Sequence, residues 1–198
     1  AKEWFPHELV PYDRGKNFES GAQWSPGDDD FGDAGIEIDE PVRDALFLNL
    51  LTEDNLPYYF RDIDRLFGSD SSYGEWARNW TAEEGRHSIV MRDYMTVSRA
   101  VDPVALERAR MIQVRGGQVP DPGDAIEALA YVSMQELATR ISHRNTGKLM
   151  KDEIGTAIMS RVGNDENLHY LFYRDLTSAA LEVDPSTTVI GIERAVRN

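Results

Sequence analysis

Two short motifs of the form Glu-x-x-His constrain this chain more than any other feature. Glu84 and His87 stand three apart, and so do Glu166 and His169. In an α-helix, positions i and i+3 share a face, so each pair projects in one direction. A further glutamate precedes each motif at nearly the same distance. Glu53 lies 31 residues before Glu84, and Glu136 lies 30 before Glu166. These spacings fit two antiparallel helix hairpins related by a pseudo-twofold axis. Four carboxylates and two imidazoles arranged this way are the ligand set of a dinuclear iron or manganese site inside a four-helix bundle. The donors are hard to borderline, which suits those metals better than a thiolate-seeking ion.

A lone Glu-x-x-His is ordinarily a surface pair, and Glu53 or Glu136 taken alone reads as solvent-facing. The repetition changes this, because it uses two of only four histidines in 198 residues. Apolar neighbours also turn the glutamates inward: Leu50, Leu51 and Leu56 around Glu53, and Met134 and Leu137 around Glu136. Burying four carboxylates together without cations is costly, whereas two divalent ions balance them. Glu83 and Asp165 directly precede the two motif glutamates. Each is expected to reach the histidine of the other hairpin and orient its ring. Trp80, one turn before Glu84, is expected beside the site, packing in the core or relaying electrons. His7 and His143 have no matching partners and read as ordinary polar residues.

The chain as a whole reads as all-α, since no segment alternates with period two. Residues 1–38 form an irregular arm with Pro6, Pro11, Pro26 and an acidic run at 28–30, punctuated by Trp4, Phe5, Tyr12, Phe18 and Trp24. Residues 39–198 form the helical bundle, all in one domain. A first helix is expected from Asp39 to Gly68, loosened where Pro57 cannot donate to the Glu53 carbonyl. Ser72 is expected to open a second helix as a capping box with Glu75. Asp102-Pro103 starts a third that ends at Gly116-Gly117. A fourth runs from Asp124 and ends near Gly147, and a fifth spans about 151–181. Asp184-Pro185 starts a last segment.

With no cysteine, disulfides and thiolate metal sites are excluded, which fits a cytoplasmic protein. A formal charge of −14 argues against a nucleic-acid partner. No apolar run approaches a membrane span, and no signal peptide is evident. The first residue is not Met, so the chain reads as trimmed at its ends.

Longer stretches resemble one family. Thr52-Glu53-Asp54-Asn55-Leu56-Pro57-Tyr58-Tyr59, the Trp-Thr-Ala-Glu-Glu-x-x-His segment at 80–87, Gln135 through Thr146 and Asp165 through His169 are similar to segments of the soluble acyl-acyl-carrier-protein desaturases, the bacterial branch above all. Trp4-Phe5-Pro6-His7 and Tyr12 through Asn17 resemble that family's arm. The resemblance implies a ferritin-like bundle holding two iron ions. Glu84 and Glu166 would bridge them, with Glu53, Glu136, His87 and His169 as terminal ligands. Thr139 matches a threonine tied to oxygen and proton handling, and so becomes the candidate catalytic residue. The implied reaction inserts a cis double bond into an acyl chain on acyl carrier protein, using O2 and a ferredoxin-type donor. A homodimer is the default assembly.

Phe60, Ile63 and Phe67 are candidates for a substrate-channel wall, with core packing as the alternative. Arg140, Arg144, Lys148 and Lys151 are candidates for meeting an acidic carrier. Gly85 departs from the family, which carries a side chain there. The arm and the connection at 118–123 look short, and the terminal portions of the family are missing. Competing readings are a di-iron hydroxylase or oxidase of a carrier-bound chain, a ferritin-like iron-handling protein, and a binding protein without turnover.

Overall fold

The computed structural model describes residues 2–15, 17, 38–117 and 119–197, and among these all the regular structure is helical. Seven α-helices follow in order: α1 (Glu40–Glu53), α2 (Leu56–Phe67), α3 (Ser72–Val97), α4 (Pro103–Gly116), α5 (Ala125–Leu149), α6 (Glu153–Val183) and α7 (Pro185–Arg197). Two single turns of 3-10 helix, Pro6–Glu8 and Tyr12–Arg14, precede them. Phe18, Trp24, Pro26 and the acidic run of the expected arm lie outside the described residues.

The single helix expected from Asp39 to Gly68 is in fact two. Pro57 has no N–H for the Glu53 carbonyl, and its ring crowds that oxygen. Asp54 and Asn55 keep right-handed backbone but with ψ near zero, at −9° and −4°. The Asn55 N–H therefore reaches the Thr52 carbonyl, three residues back, and α1 closes on Glu53 itself.

Helix α3 is capped by Ser71 and not by the expected Ser72. Ser71 is extended, and its hydroxyl accepts the Gly74 N–H at 3.0 Å. Glu75 therefore falls one position beyond the place a capping box requires. The start of α4 is as expected: Asp102 accepts the Val104 N–H, Pro103 follows, and left-handed Gly117 closes the helix. Asp124 caps α5 through the N–H groups of Ile126 and Glu127. Gly147, expected to end α5, lies inside it. Its role is close approach, since a Cβ there would sit 2.9 Å from the Cβ of Met159 on α6.

Helices α1, α3, α5 and α6 make the bundle. The pair α5 and α6 is a hairpin closed by residues 150–152, α1 packs on α3 and α5, and α3 packs on α6. Buried positions repeat along each helix at three- and four-residue steps, as an inward stripe requires. On α1 they run Val42, Leu46, Leu50 and then Glu53. On α3, Ala77 and Trp80 lead to Glu84 and His87, and Val90 and Met91 follow. One apolar cluster joins Leu46, Leu50, Val90, Met91, Tyr94, Ile158 and Met159. Two more are built on Ile63, Ala77 and Trp80, and on Leu129, Val132 and Tyr173. The buried acids and histidines interrupt these stripes midway along α3, α5 and α6, and at the last residue of α1. No described helix is long and apolar enough to cross a membrane.

Candidate metal centre

The four bundle helices bring all six residues of the repeated pattern together. Glu53 comes from the end of α1, Glu84 and His87 from α3, Glu136 from α5, and Glu166 and His169 from α6, and all six are buried. Ligand atoms of Glu53, Glu84, His87 and Glu166 lie within 4.8 Å of one another. The same holds for Glu84, Glu136, Glu166 and His169. The two groups share Glu84 and Glu166, so these two carboxylates lie between the other four residues.

The imidazoles are directional. Nδ1 of each ring faces the cluster: His87 Nδ1 is 3.0 Å from Glu166 Oε1, and His169 Nδ1 is 2.7 Å from Glu84 Oε1. The opposite nitrogens meet the acids expected to cross over. His169 Nε2 is 3.1 Å from Glu83 Oε2, and His87 Nε2 is 3.5 Å from Asp165 Oδ2. An acid on the far nitrogen fixes tautomer and ring orientation in metal-binding histidines. Thr139, one turn beyond Glu136, brings its hydroxyl to 2.6 Å from Glu166 Oε2.

Two residues in the centre escaped the sequence reading. His143 is buried against the site, with Nε2 2.9 Å from Glu53 Oε1 and 4.0 Å from Glu166 Oε1, which corrects its assignment as an ordinary polar residue. Its signal was present in the spacing, because position 143 lies two helical turns beyond Glu136 on the same face. Trp4 donates its indole N–H to Asp165 Oδ2 at 2.7 Å and stacks on His87 at 6.4 Å between centroids. Arg86 and Arg161 approach the indole at 5.2 and 5.5 Å. His7, by contrast, is exposed and stacks on Phe5.

A small cavity opens onto the centre, lined by Thr52, Leu56, Tyr59, Trp80, Gln135 and Thr139 together with Glu53, Glu84, Glu136 and Glu166. Its wall from α2 is Leu56 and Tyr59. Phe60, Ile63 and Phe67 sit instead in the apolar cluster between α2 and α3, with Ala77 and Trp80. Trp80 serves both, standing edge-on to His169 at 6.4 Å and stacked on Trp76 at 6.2 Å. Of the basic candidates, Arg144 and Lys148 are exposed, Arg140 is half-buried, and Lys151 pairs with Asp39 at 2.8 Å.

Burial pushes the Glu84 and Glu136 carboxyls above the usual range, and the neighbouring Glu166 charge pushes the same way. Burial also raises Glu53 and Glu166, but there the histidines outweigh it and hold both carboxyls low. Burial disfavours charge on His87 and His169, yet the surrounding carboxylates, Glu84 first, hold both well above the ordinary histidine range. Four carboxylates thus need compensating positive charge at close quarters.

The residues fit a pair of divalent ions. Nδ1 of His87 and of His169, and Oε1 of Glu84 and of Glu166, are buried without a hydrogen-bond partner, although His87 Nδ1 lies 3.0 Å from Glu166 Oε1 and His169 Nδ1 2.7 Å from Glu84 Oε1. Such crowding without hydrogen-bond alignment is the geometry of ligand atoms around a common centre. Oxygen and imidazole donors in this ratio match iron or manganese.

Comparison with known proteins agrees with the geometry. The family model described as fatty acid desaturase matches residues 1–198. The chain belongs to the fatty acid desaturase family. Within that family it is 42% identical over 195 residues to DesA1 of Mycobacterium tuberculosis, named as an acyl-carrier-protein desaturase, covering 93% of this chain and 56% of the relative. It is 35% identical over 162 residues to a chloroplastic stearoyl-acyl-carrier-protein 9-desaturase of Arabidopsis thaliana, covering 75% of this chain and 41% of that one. The X-ray structure of the mycobacterial acyl-carrier-protein desaturase DesA2 superimposes with a TM-score of 0.73 at 27% identity, covering 96% of this chain and 66% of the other. This desaturase-family chain therefore spans just over half the length of DesA1.

Proposed function

We propose that this chain forms the di-iron core of an acyl-carrier-protein desaturase. The reaction removes two hydrogens from adjacent methylenes of a carrier-bound saturated chain, leaving a cis double bond. One O2, two electrons from a ferredoxin-type donor and two protons complete the balance, giving two waters. The observation that carries this reading is the pair of ligand clusters sharing Glu84 and Glu166 inside a chain of this family.

In this reading Glu84 and Glu166 would be shared by the two iron ions, Glu53 and His87 would help hold one, and Glu136 and His169 the other. Bound iron supplies O2-dependent oxidising power, which no side chain can direct at an unactivated methylene. The remaining work falls to the protein. Asp165 and Glu83 hold the imidazole rings with Nδ1 inward. Thr139 holds its hydroxyl at Glu166 Oε2, where it can hand on a proton beside the cavity. Leu56, Tyr59 and Trp80 line the cavity beside the glutamates and would face a chain brought to the metal ions. Arg144 and Lys148, exposed towards the end of α5, would receive an acidic carrier. We place the enzyme in the cytoplasm, as a homodimer.

The test is reconstitution with Fe(II) under anaerobic conditions, followed by O2, a reductant and an acyl carrier substrate, with the product chain analysed by mass spectrometry. A mono-unsaturated product supports the reading. A hydroxylated product would move it to a hydroxylase, and Fe(II) oxidation indifferent to substrate would move it to iron handling.

A further inference from the structure

Glu53 stands at a break in the bundle backbone. It is the last residue of α1, and Pro57 has no N–H to offer its carbonyl. The break that follows keeps a backbone bond from the Asn55 N–H to the Thr52 carbonyl, and side chains add to it. Those side chains come from α4, a helix that buries only Leu106 of its own residues. Asp54, buried and adjacent to Glu53, takes a two-point grip from Arg110: Nε to Oδ2 at 2.7 Å and Nη2 to Oδ1 at 3.0 Å. One turn further along α4, Gln113 Nε2 donates to the side-chain oxygen of buried Asn55 at 3.0 Å. The Tyr58 hydroxyl reaches the Val114 carbonyl.

The grip also has a fixed base. Arg110 shares Glu107 with Arg92 of α3, at 3.3 Å on one side and 2.7 Å on the other. Arg92 lies five residues beyond His87 on the same helix. The run Asp54–Arg110–Glu107–Arg92 therefore spans from the helix that presents Glu53 to the helix that presents Glu84 and His87. A planar guanidinium held at two points fixes orientation as well as distance, which a lysine cannot reproduce.

We propose that Arg110 is a positioning residue for Glu53, and that α4 acts as a brace setting where that carboxylate meets its metal ion. This rests on the two-metal reading above and adds an asymmetry to it. Glu53 belongs to only one of the two clusters, so loosening the brace weakens one ion and spares the other.

Calorimetric titration with Mn(II) reads this directly, comparing wild type with Arg110→Met and Arg110→Lys, and with Arg108→Met as an exposed control on the same helix. The expected result is two ions in wild type and the control. In Arg110→Met one of the two should weaken by about 10- to 100-fold, the usual scale for residues that orient ligands. Arg110→Lys, which keeps charge without the two-point grip, should fall between. Faster amide exchange at residues 54–56 should accompany the loss. If Arg110→Met does not fold, Arg110→Lys carries the same comparison. Wild-type titration of both ions in Arg110→Met overturns the proposal, as does equal weakening of both ions alongside a lower Tm. Failure of wild type itself to take two ions would overturn the two-metal reading, and this inference with it.

Discussion

Trp4 and Asp165, 161 residues apart, share a buried hydrogen bond of 2.7 Å from the indole N–H to Oδ2. The same carboxylate faces His87, on which the Trp4 ring also stacks, so the N-terminal arm meets the centre through this acid and this ring. Burial works against the charged form of Asp165, but His87 and then Trp4 hold its carboxyl below the usual range. Trp4→Phe keeps an aromatic ring beside His87 but removes the donor and part of the indole's packing. It is expected to cost about 1–3 kcal/mol, the range for leaving a buried polar group short of a partner. Urea unfolding of the two proteins measures it, and an unchanged midpoint would show that the arm contributes packing alone.

Sharing of Glu84 between the clusters makes it unequal to Glu53. Glu84→Ala removes a carboxylate from both groups, whereas Glu53→Ala removes one from a single group. We expect Glu84→Ala to lose tight binding of both metals and all turnover. Glu53→Ala should keep one ion, held by Glu136, His169 and the two shared glutamates. Metal content after anaerobic loading and desalting separates these outcomes. Retained activity in Glu84→Ala would overturn the bridging role.

His143 is the nearer histidine partner of Glu53, at 2.9 Å from Nε2 to Oε1 against 3.7 Å from His87 Nδ1 to Oε2. His143→Leu leaves that carboxylate with one contact fewer in a buried place. In metal-free protein the expected loss is about 1.5–3 kcal/mol, as for hydrogen bonds to charged groups. Because a cation at Glu53 would replace the lost partner, loading with Mn(II) should narrow the gap in Tm between variant and wild type. A gap that metal leaves unchanged would mean that His143 acts only through packing.

What the sequence disclosed depended on how far each contact reaches along the chain. The paired Glu-x-x-His motifs are legible because a helix places i and i+3 on one face, and their repetition identifies the bundle. Glu83 and Asp165 could be placed because each adjoins a motif glutamate. His143 has no such short-range partner, and only its two-turn spacing from Glu136 hints at a shared face. Trp4 carries no local signal, since folding alone brings it to Asp165. At Pro57 the weakness of the helix was visible. The full break was not, because Asp54 and Asn55 are held by Arg110 and Gln113 from a distant helix.

Gly147 reads as a helix end by a local rule and Gly85 as a departure from the family, and packing gives the two opposite meanings. Gly147 looked like a helix terminus, yet it sits within α5 where a Cβ would meet Met159 Cβ at 2.9 Å. Gly147→Ala gains about 1 kcal/mol of helix propensity but crowds a filled interface, at a cost of about 1–3 kcal/mol. Net destabilisation is expected wherever α6 cannot yield, and the backbone-anchored Met159 Cβ has little room to move. Gly85 is the contrast, since nothing lies within 4 Å of the Cβ it lacks. Gly85→Ala should therefore stabilise α3 by about 0.5–1 kcal/mol and leave metal content unchanged, although it adjoins Glu84. Urea unfolding of both variants checks the pair. Stabilisation by Gly147→Ala would show that α5 and α6 can separate without loss, and destabilisation by Gly85→Ala would show that the backbone beside Glu84 depends on glycine.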